Sequence, residues 1–233
     1  MTTRRPPVVW FFDLDDTLHD ASHAIIGQID RRMTDFVMRQ LRIEREPADR
    51  LRRDYWRRYG ATLLGLVRHH AVDARDFLRD THDFDILGLL RGHPGVVALL
   101  RGLPGRKVLL TNAPAAYART VTVGLGIHRQ LARHYPIESM RIHGSLRPKP
   151  ARGMLRAMLA RERVAAPRAV LVDDNLANLK AARSVGLRTV WVFGRRTAGW
   201  RPPYVDLRVR NVRELRRALE RIGALALPPV LNQ

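Results

Sequence analysis

The segment Val8-Val9-Trp10-Phe11-Phe12-Asp13-Leu14-Asp15-Asp16-Thr17-Leu18 constrains the fold of this chain more than any other. Its unbroken apolar run reads as a strand buried on both faces, the kind found inside parallel sheets. The run stops on closely spaced aspartates, and burying such charges unpaired would be prohibitive. The strand must therefore deliver Asp13 and Asp15 to the exposed carboxyl edge of a sheet, where open α/β folds build their sites and where a cation, a ligand or solvent can meet the charge.

The chain does not return promptly to the sheet. From Ser22, taken as an N-cap, Ile25, Ile26, Ile29, Met33, Phe36, Val37 and Leu41 recur at helical spacing. Pro47 opens a second helix that Gly60 halts, and helical patterns continue over 63–70 and 76–90. Residues 21–93 thus read as a helical cap inserted after the first strand. The catalytic core is expected from 1–20 and 94–233, where strands (107–111, 169–173, 189–193) alternate with helices (115–123, 154–161, 176–185, 212–222). That alternation predicts a doubly wound parallel sheet with right-handed crossovers. The tail, 225–233, is expected to be loosely held.

Composition narrows the chemistry. The 233 residues contain no cysteine, which excludes disulfides, thiol catalysis and zinc-thiolate sites and is compatible with a cytoplasmic protein. No apolar run approaches the ~20 residues of a membrane span. Asp13 also cuts short the apolar run behind Arg4-Arg5, so no export signal is read. The formal charge is +20, and all but three of the 42 basic residues are arginine. They are dispersed as singles and pairs, giving a positive field that favours anionic substrates and invites nonspecific nucleic-acid contact.

Each polar cluster falls at the end of a strand or in a loop beyond one: Asp13 and Asp15, then Thr111-Asn112, then Lys149 between two prolines, then Asp173-Asp174. Parallel strands bring these positions to one edge. A calcium-binding EF-hand loop over Asp13, Asp15 and Thr17 is excluded, since Leu18 stands where glycine is needed and Ala24 where a bidentate glutamate is needed. No phosphate-cradling Walker loop is present. Five acidic side chains facing one lysine call for a hard divalent cation, and oxygen ligands suit Mg²⁺.

Asp13-Leu14-Asp15-Asp16-Thr17, Thr111, Lys149 and Asp173-Asp174, in that order over residues 8–222, resemble the four motifs of the haloacid dehalogenase-like hydrolase superfamily, in its phosphatase branch. The resemblance implies a Rossmann-like core and a phosphoric monoester hydrolase that works through an aspartyl-phosphate. It implies Asp13 as nucleophile and Asp15 as general acid and then base. Thr111, with backbone N–H groups near Asn112, would hold phosphoryl oxygens, and Lys149 would neutralise charge developing on them. Mg²⁺ would be held by Asp13, the Asp15 backbone carbonyl and Asp174, with Asp173 adjacent or through water. Aspartate at position 15, where the related ATPases carry threonine, points to ester hydrolysis.

Tyr59-Gly60-Ala61-Thr62-Leu63-Leu64-Gly65-Leu66 and His82-Asp83-Phe84-Asp85 resemble the cap of the pyrimidine 5′-nucleotidase family. Ala61, His19 and Asp16 depart from that family's usual threonine, tyrosine and asparagine. The expected partner is a small phosphorylated metabolite, a nucleoside monophosphate such as UMP or CMP, with His69, His70 and His82 as candidate contacts. A sugar-phosphate phosphatase is the alternative. A second is a nucleic-acid-binding protein using Arg195, Arg196, Arg201, Arg208 and Arg210 interleaved with Trp191, Phe193, Trp200 and Tyr204.

Overall fold

A computed structural model of the chain describes residues 8–194 and 201–221. The first strand, β1 (Val9–Phe12), is buried throughout and leads into four helices: α1 (Ile25–Leu41), α2 (Arg45–Tyr59), α3 (Thr62–His70) and α4 (Ala74–His82). There follow α5 (Val96–Gly102), β2 (Arg106–Leu110), α6 (Ala115–Gly124) and β3 (Arg133–Tyr135). A hairpin of β4 (Arg141–Ile142) and β5 (Ser145–Leu146) turns at His143-Gly144, both at positive φ as a tight two-residue hairpin requires. The chain closes with α7 (Arg152–Arg161), β6 (Ala169–Asp173), α8 (Leu176–Ser184), β7 (Arg188–Val192), β8 (Leu207–Val209) and α9 (Leu215–Arg221).

The main sheet has the order β3-β2-β1-β6-β7-β8, and every pairing in it is parallel. The chain winds outward from β1 through β2 to β3, then crosses back to β6 and winds the other way. That reversal makes the boundary between β1 and β6 a topological switch point, the crevice where open α/β sheets bind their ligands. Phe12 is in register with Val172, and Asp13 N donates to Val172 O at 2.9 Å, so Asp13 emerges beside Asp173.

Alternation along β1 divides the core. Trp10 and Phe12 face a cluster that includes Leu99 and Leu100 of α5, Tyr117 and Val121 of α6, and Leu215 and Leu219 of α9. Val9 and Phe11 face Met154, Leu155 and Met158 of α7 with Leu179 and Ala182 of α8. Helices on both faces make the sheet doubly wound, as the alternation of elements predicts. Helices α1 to α4 form a third cluster around Phe36, Val37, Leu63, Leu66 and Phe77, in which Phe36 and Phe77 meet edge to face with centroids 5.2 Å apart. The linkers to and from these helices touch: His19 bridges Gly92 in antiparallel fashion, and Asp20 N donates to Arg91 O at 3.1 Å.

Several local expectations are corrected. Ser22 does not cap α1, which starts after Ala24; its amide donates to Asp16 Oδ1 at 2.7 Å and its hydroxyl to Asp16 Oδ2. The helix expected over 76–90 ends at His82, and Asp85 takes up the amide of Gly88 at 3.1 Å to start a separate short turn over Leu87–Leu89. An aspartate whose carboxylate can bond backbone amides offers the chain a turn in place of continued helix. Short elements carry little periodicity, and α5, β3, the β4–β5 hairpin and β8 have no counterpart in the sequence reading. Arg4-Arg5, 195–200 and the tail lie outside the described residues; among the described residues no helix is long and apolar enough to cross a membrane.

Candidate active site

The carboxyl ends of β1, β2 and β6 bring Asp13, Thr111, Asp173 and Asp174 to one edge, and the loop before α7 brings Lys149 to meet them. Lys149 is 1% exposed, and its Nζ lies 2.8 Å from Asp13 Oδ1 and 2.8 Å from Asp173 Oδ2. Its loop is fixed by a reciprocal pair: Asn112 Nδ2 donates to Lys149 O at 3.0 Å, and Lys149 N donates to Asn112 Oδ1 at 3.0 Å. The Asn112 side chain is thus committed to holding Lys149, which leaves the expectation for the backbone N–H groups near it untouched. The Thr111 hydroxyl, buried, accepts from Ala113 N at 3.0 Å, which leaves its own hydrogen to donate.

Asp173 is fully buried. Its Oδ1 accepts from Asn175 N at 2.8 Å and Asn178 Nδ2 at 3.0 Å, while Oδ2 accepts from Lys149 Nζ at 2.8 Å and Asn178 Nδ2 at 3.1 Å. A carboxylate offers about four lone-pair positions, and all are taken. Asp173 therefore anchors Lys149 while remaining beside the acidic cluster, the position expected of it. Asp16, whose carboxylate is held by Ser22, is likewise a linker residue.

Oxygen atoms of Asp13, Asp173 and Asp174 lie within 4.8 Å of one another. Burial, partly offset by Lys149, raises the Asp13 carboxyl to about 7, with Asp173 adding to the rise. Burial and then the charges of Asp173 and Asp13 push Asp174 up to about 8. Lys149 is held above its usual range: burial opposes its charge, but Asp13 and Asp173 outweigh it. One lysine thus does not neutralise the cluster. The cluster of Asp13, Asp173 and Asp174 has the oxygen donors that suit a hard divalent cation.

Asp15 is held by side chains outside this cluster. Its Oδ1 accepts from Tyr117 Oη at 2.5 Å and meets His19 Nε2 at 2.9 Å. Burial alone would raise the Asp15 carboxyl, yet the bonds and charge of His19 and the bond from Tyr117 take it below the ordinary carboxylate value. Of the carboxyls here it is Asp13 and Asp174 that are raised. Tyr117, His19 and Asn178 were not singled out as site residues from the sequence. Only Asn178 carries a signal there, standing one helical turn after the capping Asn175.

The inserted helices reach the site at two points. A Cβ on Gly60 would lie 2.8 Å from Pro150 Cδ and 3.5 Å from Lys149 O, so the turn between α2 and α3 rests on the Lys149 loop. The His82 ring packs edge-on against Tyr117 at 5.3 Å and 71°, while its Nδ1 lies 3.0 Å from Leu78 O. His69 and His70 pair instead with Tyr59 and Tyr55, Nε2 to hydroxyl, at 2.6 and 2.7 Å.

A haloacid dehalogenase-like hydrolase model matches residues 9–186. The chain belongs to that family. Solved structures share its fold over nearly their whole length. A HAD phosphatase from Thermococcus onnurineus has 21% identity and a TM-score of 0.62, covering 91% of this chain and 97% of its own. A 2-haloacid dehalogenase from Pseudomonas syringae pv. Tomato has 20% identity and a TM-score of 0.59, with 92% and 99% covered. The magnesium-bound HAD-hydrolase YfnB of Bacillus subtilis has 15% identity and a TM-score of 0.59, with 91% and 98% covered. Membership makes the chain a hydrolase; the bond it cleaves is a matter for its own residues.

Proposed function

We propose that this hydrolase cleaves small phosphate monoesters through an aspartyl-phosphate on Asp13, with a pyrimidine nucleoside monophosphate as substrate. The observation that carries the phosphatase reading is Asp15, a second carboxylate two residues from the nucleophile and held in place by Tyr117 and His19. A halide leaves as a stable anion and needs no proton, whereas an alkoxide does. The Asp13–Asp174 pair adds capacity for a cation that a phosphate dianion needs and a haloacid does not.

Lys149 engages Oδ1 of Asp13, leaving the other oxygen to attack phosphorus. A bound phosphate dianion beside Asp15 favours its protonated form by like-charge repulsion; as the bond to Asp13 forms, the ester P–O bond breaks and that proton passes to the departing oxygen. Asp15, now ionised, takes a proton from water as the water oxygen attacks phosphorus; the bond to Asp13 breaks, and Asp15 is again protonated. Lys149 and the Thr111 hydroxyl hold the non-bridging oxygens. Mg²⁺, held by Asp13, the Asp15 carbonyl and Asp174, would supply charge neutralisation and orientation when bound.

The nucleotide reading rests on the cap resemblance and on the seating of Gly60 against the Lys149 loop, which stands the inserted helices over any group esterified to the phosphate. For the nucleic-acid alternative, Trp191 is buried in the core and its Nε1 donates to Asp174 O at 3.1 Å, so it offers no stacking face, and Phe193 packs partly buried against the same cluster. The test is turnover with Mg²⁺ across UMP, CMP, their deoxy forms, AMP, GMP, sugar phosphates, p-nitrophenyl phosphate and 2-chloropropionate. Chloride release without phosphate release would replace the phosphatase reading with a dehalogenase.

A further inference from the structure

We propose that Tyr117 and His19 are positioning residues that occupy Oδ1 of Asp15 and so confine its transferable proton to Oδ2. The inference rests on the reading of Asp15 as proton donor. Two side chains far apart in sequence meet one oxygen: Tyr117 Oη at 2.5 Å from the first turn of α6, and His19 Nε2 at 2.9 Å from the linker leaving β1. Among the described residues, no side chain bonds Oδ2.

Chemistry sets the direction of both bonds. A phenol facing a carboxylate oxygen donates to it, and burial together with the neighbouring Asp15 charge raises Tyr117, which keeps it protonated. A bare ring nitrogen aimed at the same oxygen would set lone pair against lone pair, so Nε2 of His19 carries a hydrogen. Its other nitrogen, Nδ1, is buried without a hydrogen-bond partner. With two donors on Oδ1, a proton bound by Asp15 resides on Oδ2. When the Oδ2–H bond breaks and the ester oxygen takes the proton, the electron pair left on the carboxylate is stabilised by donors already in place and needing no reorganisation.

Both residues are themselves held. His19 is fully buried, and its backbone bridges Gly92, joining the two linkers of the inserted helices. Tyr117 is 1% exposed and is covered on one side by His82. The device requires the linkers to be in register and α4 to be seated.

The test compares p-nitrophenyl phosphate, whose leaving group needs no proton, with glycerol 2-phosphate, whose leaving group does, at saturating Mg²⁺. Tyr117→Phe and His19→Leu should each lower kcat for the alkyl ester by about tenfold more than for the aryl ester, with KM shifted less than about threefold. His19→Gln, whose amide N–H can replace the Nε2 donor, should recover most of the loss seen in His19→Leu. Equal losses on the two esters, or no difference between His19→Gln and His19→Leu, would overturn the positioning role. Should Tyr117→Phe melt early, the two His19 variants decide alone. A wild-type protein that releases phosphate from neither ester nor any nucleoside monophosphate would overturn the phosphatase reading and this role together; an active wild type with uniform losses would overturn this role only.

Discussion

Asp173 and Lys149 form an ion pair at 2.8 Å in which both groups are almost wholly buried, and the asparagines around Asp173 fill the rest of its acceptor capacity. Its neighbour Asp174 has its carboxyl raised to about 8 and points into the acidic cluster. Adjacent aspartates thus sit in different surroundings, and the proposed roles differ with them. Asp174→Asn is expected to raise the Mg²⁺ concentration for half-maximal activity by at least about tenfold, as lost metal ligands do, while Asp173→Asn should lower kcat with a smaller change in that concentration. Mg²⁺ titrations of the two variants check this, and the reverse ranking would return Asp173 to the metal.

In the proposed site a metal ion and protons would compete for Asp13 and Asp174. Both carboxyls lie above the ordinary value of 3.8, at about 7 and about 8, so the folded, metal-free protein binds these protons more tightly than the unfolded chain. Stability from these groups is therefore present at low pH and falls as pH rises through that range. Mg²⁺ relieves the repulsion where the carboxylates are ionised. The rise in melting temperature on adding Mg²⁺ should be larger at about pH 8 than at about pH 5.5, and EDTA should reverse it and silence turnover. An equal rise at both pH values would show that the cation binds elsewhere.

Lys149→Met removes the one cation between two buried carboxylates. Breaking a buried pair this way costs about 3–5 kcal/mol, and losing a transition-state donor costs about 10²–10³ in kcat. The stability loss should be smaller at acid pH, where Asp13 can protonate. Urea unfolding at two pH values, beside single-substrate kinetics, tests both parts. A stable variant with a near-normal rate would reduce Lys149 to packing.

How far the sequence revealed this site follows from the reach of each signal. An apolar run ending in Asp13 announces a strand and its edge, because burial and charge are local properties. Alternating strands and helices made the parallel fold class legible, whereas the order that sets β1 beside β6 is a product of long-range pairing and was not. Tyr117 and His19 were not legible as partners of Asp15: Tyr117 is an ordinary core aromatic by spacing, and only the packing of α6 on β1 carries its hydroxyl to that carboxylate. Asp16 and Ser22 show the opposite case, where a strong local signal, a helix cap, lost to a tertiary bond.

The substrate prediction depends on the inserted helices. Gly60 sits at φ +80° with no room for a side chain toward Pro150, so the turn carrying Tyr59-Gly60-Ala61 can lie directly on the loop that presents Lys149. The group esterified to the phosphate must then fit beneath α2 and α3, while the core handles only the phosphoryl transfer. UMP and CMP should be hydrolysed with kcat/KM at least tenfold above AMP and GMP, a discrimination needing about 1.4 kcal/mol of differential binding. Gly60→Ala should erode that preference more than it slows p-nitrophenyl phosphate, because the strained turn must lift from Pro150 while Asp13 and Lys149 keep their pairing. Steady-state kinetics over the nucleotide panel measure both. A preference for purines, or for a sugar phosphate over every nucleotide, would remove the nucleotidase assignment and leave the Asp13 chemistry standing.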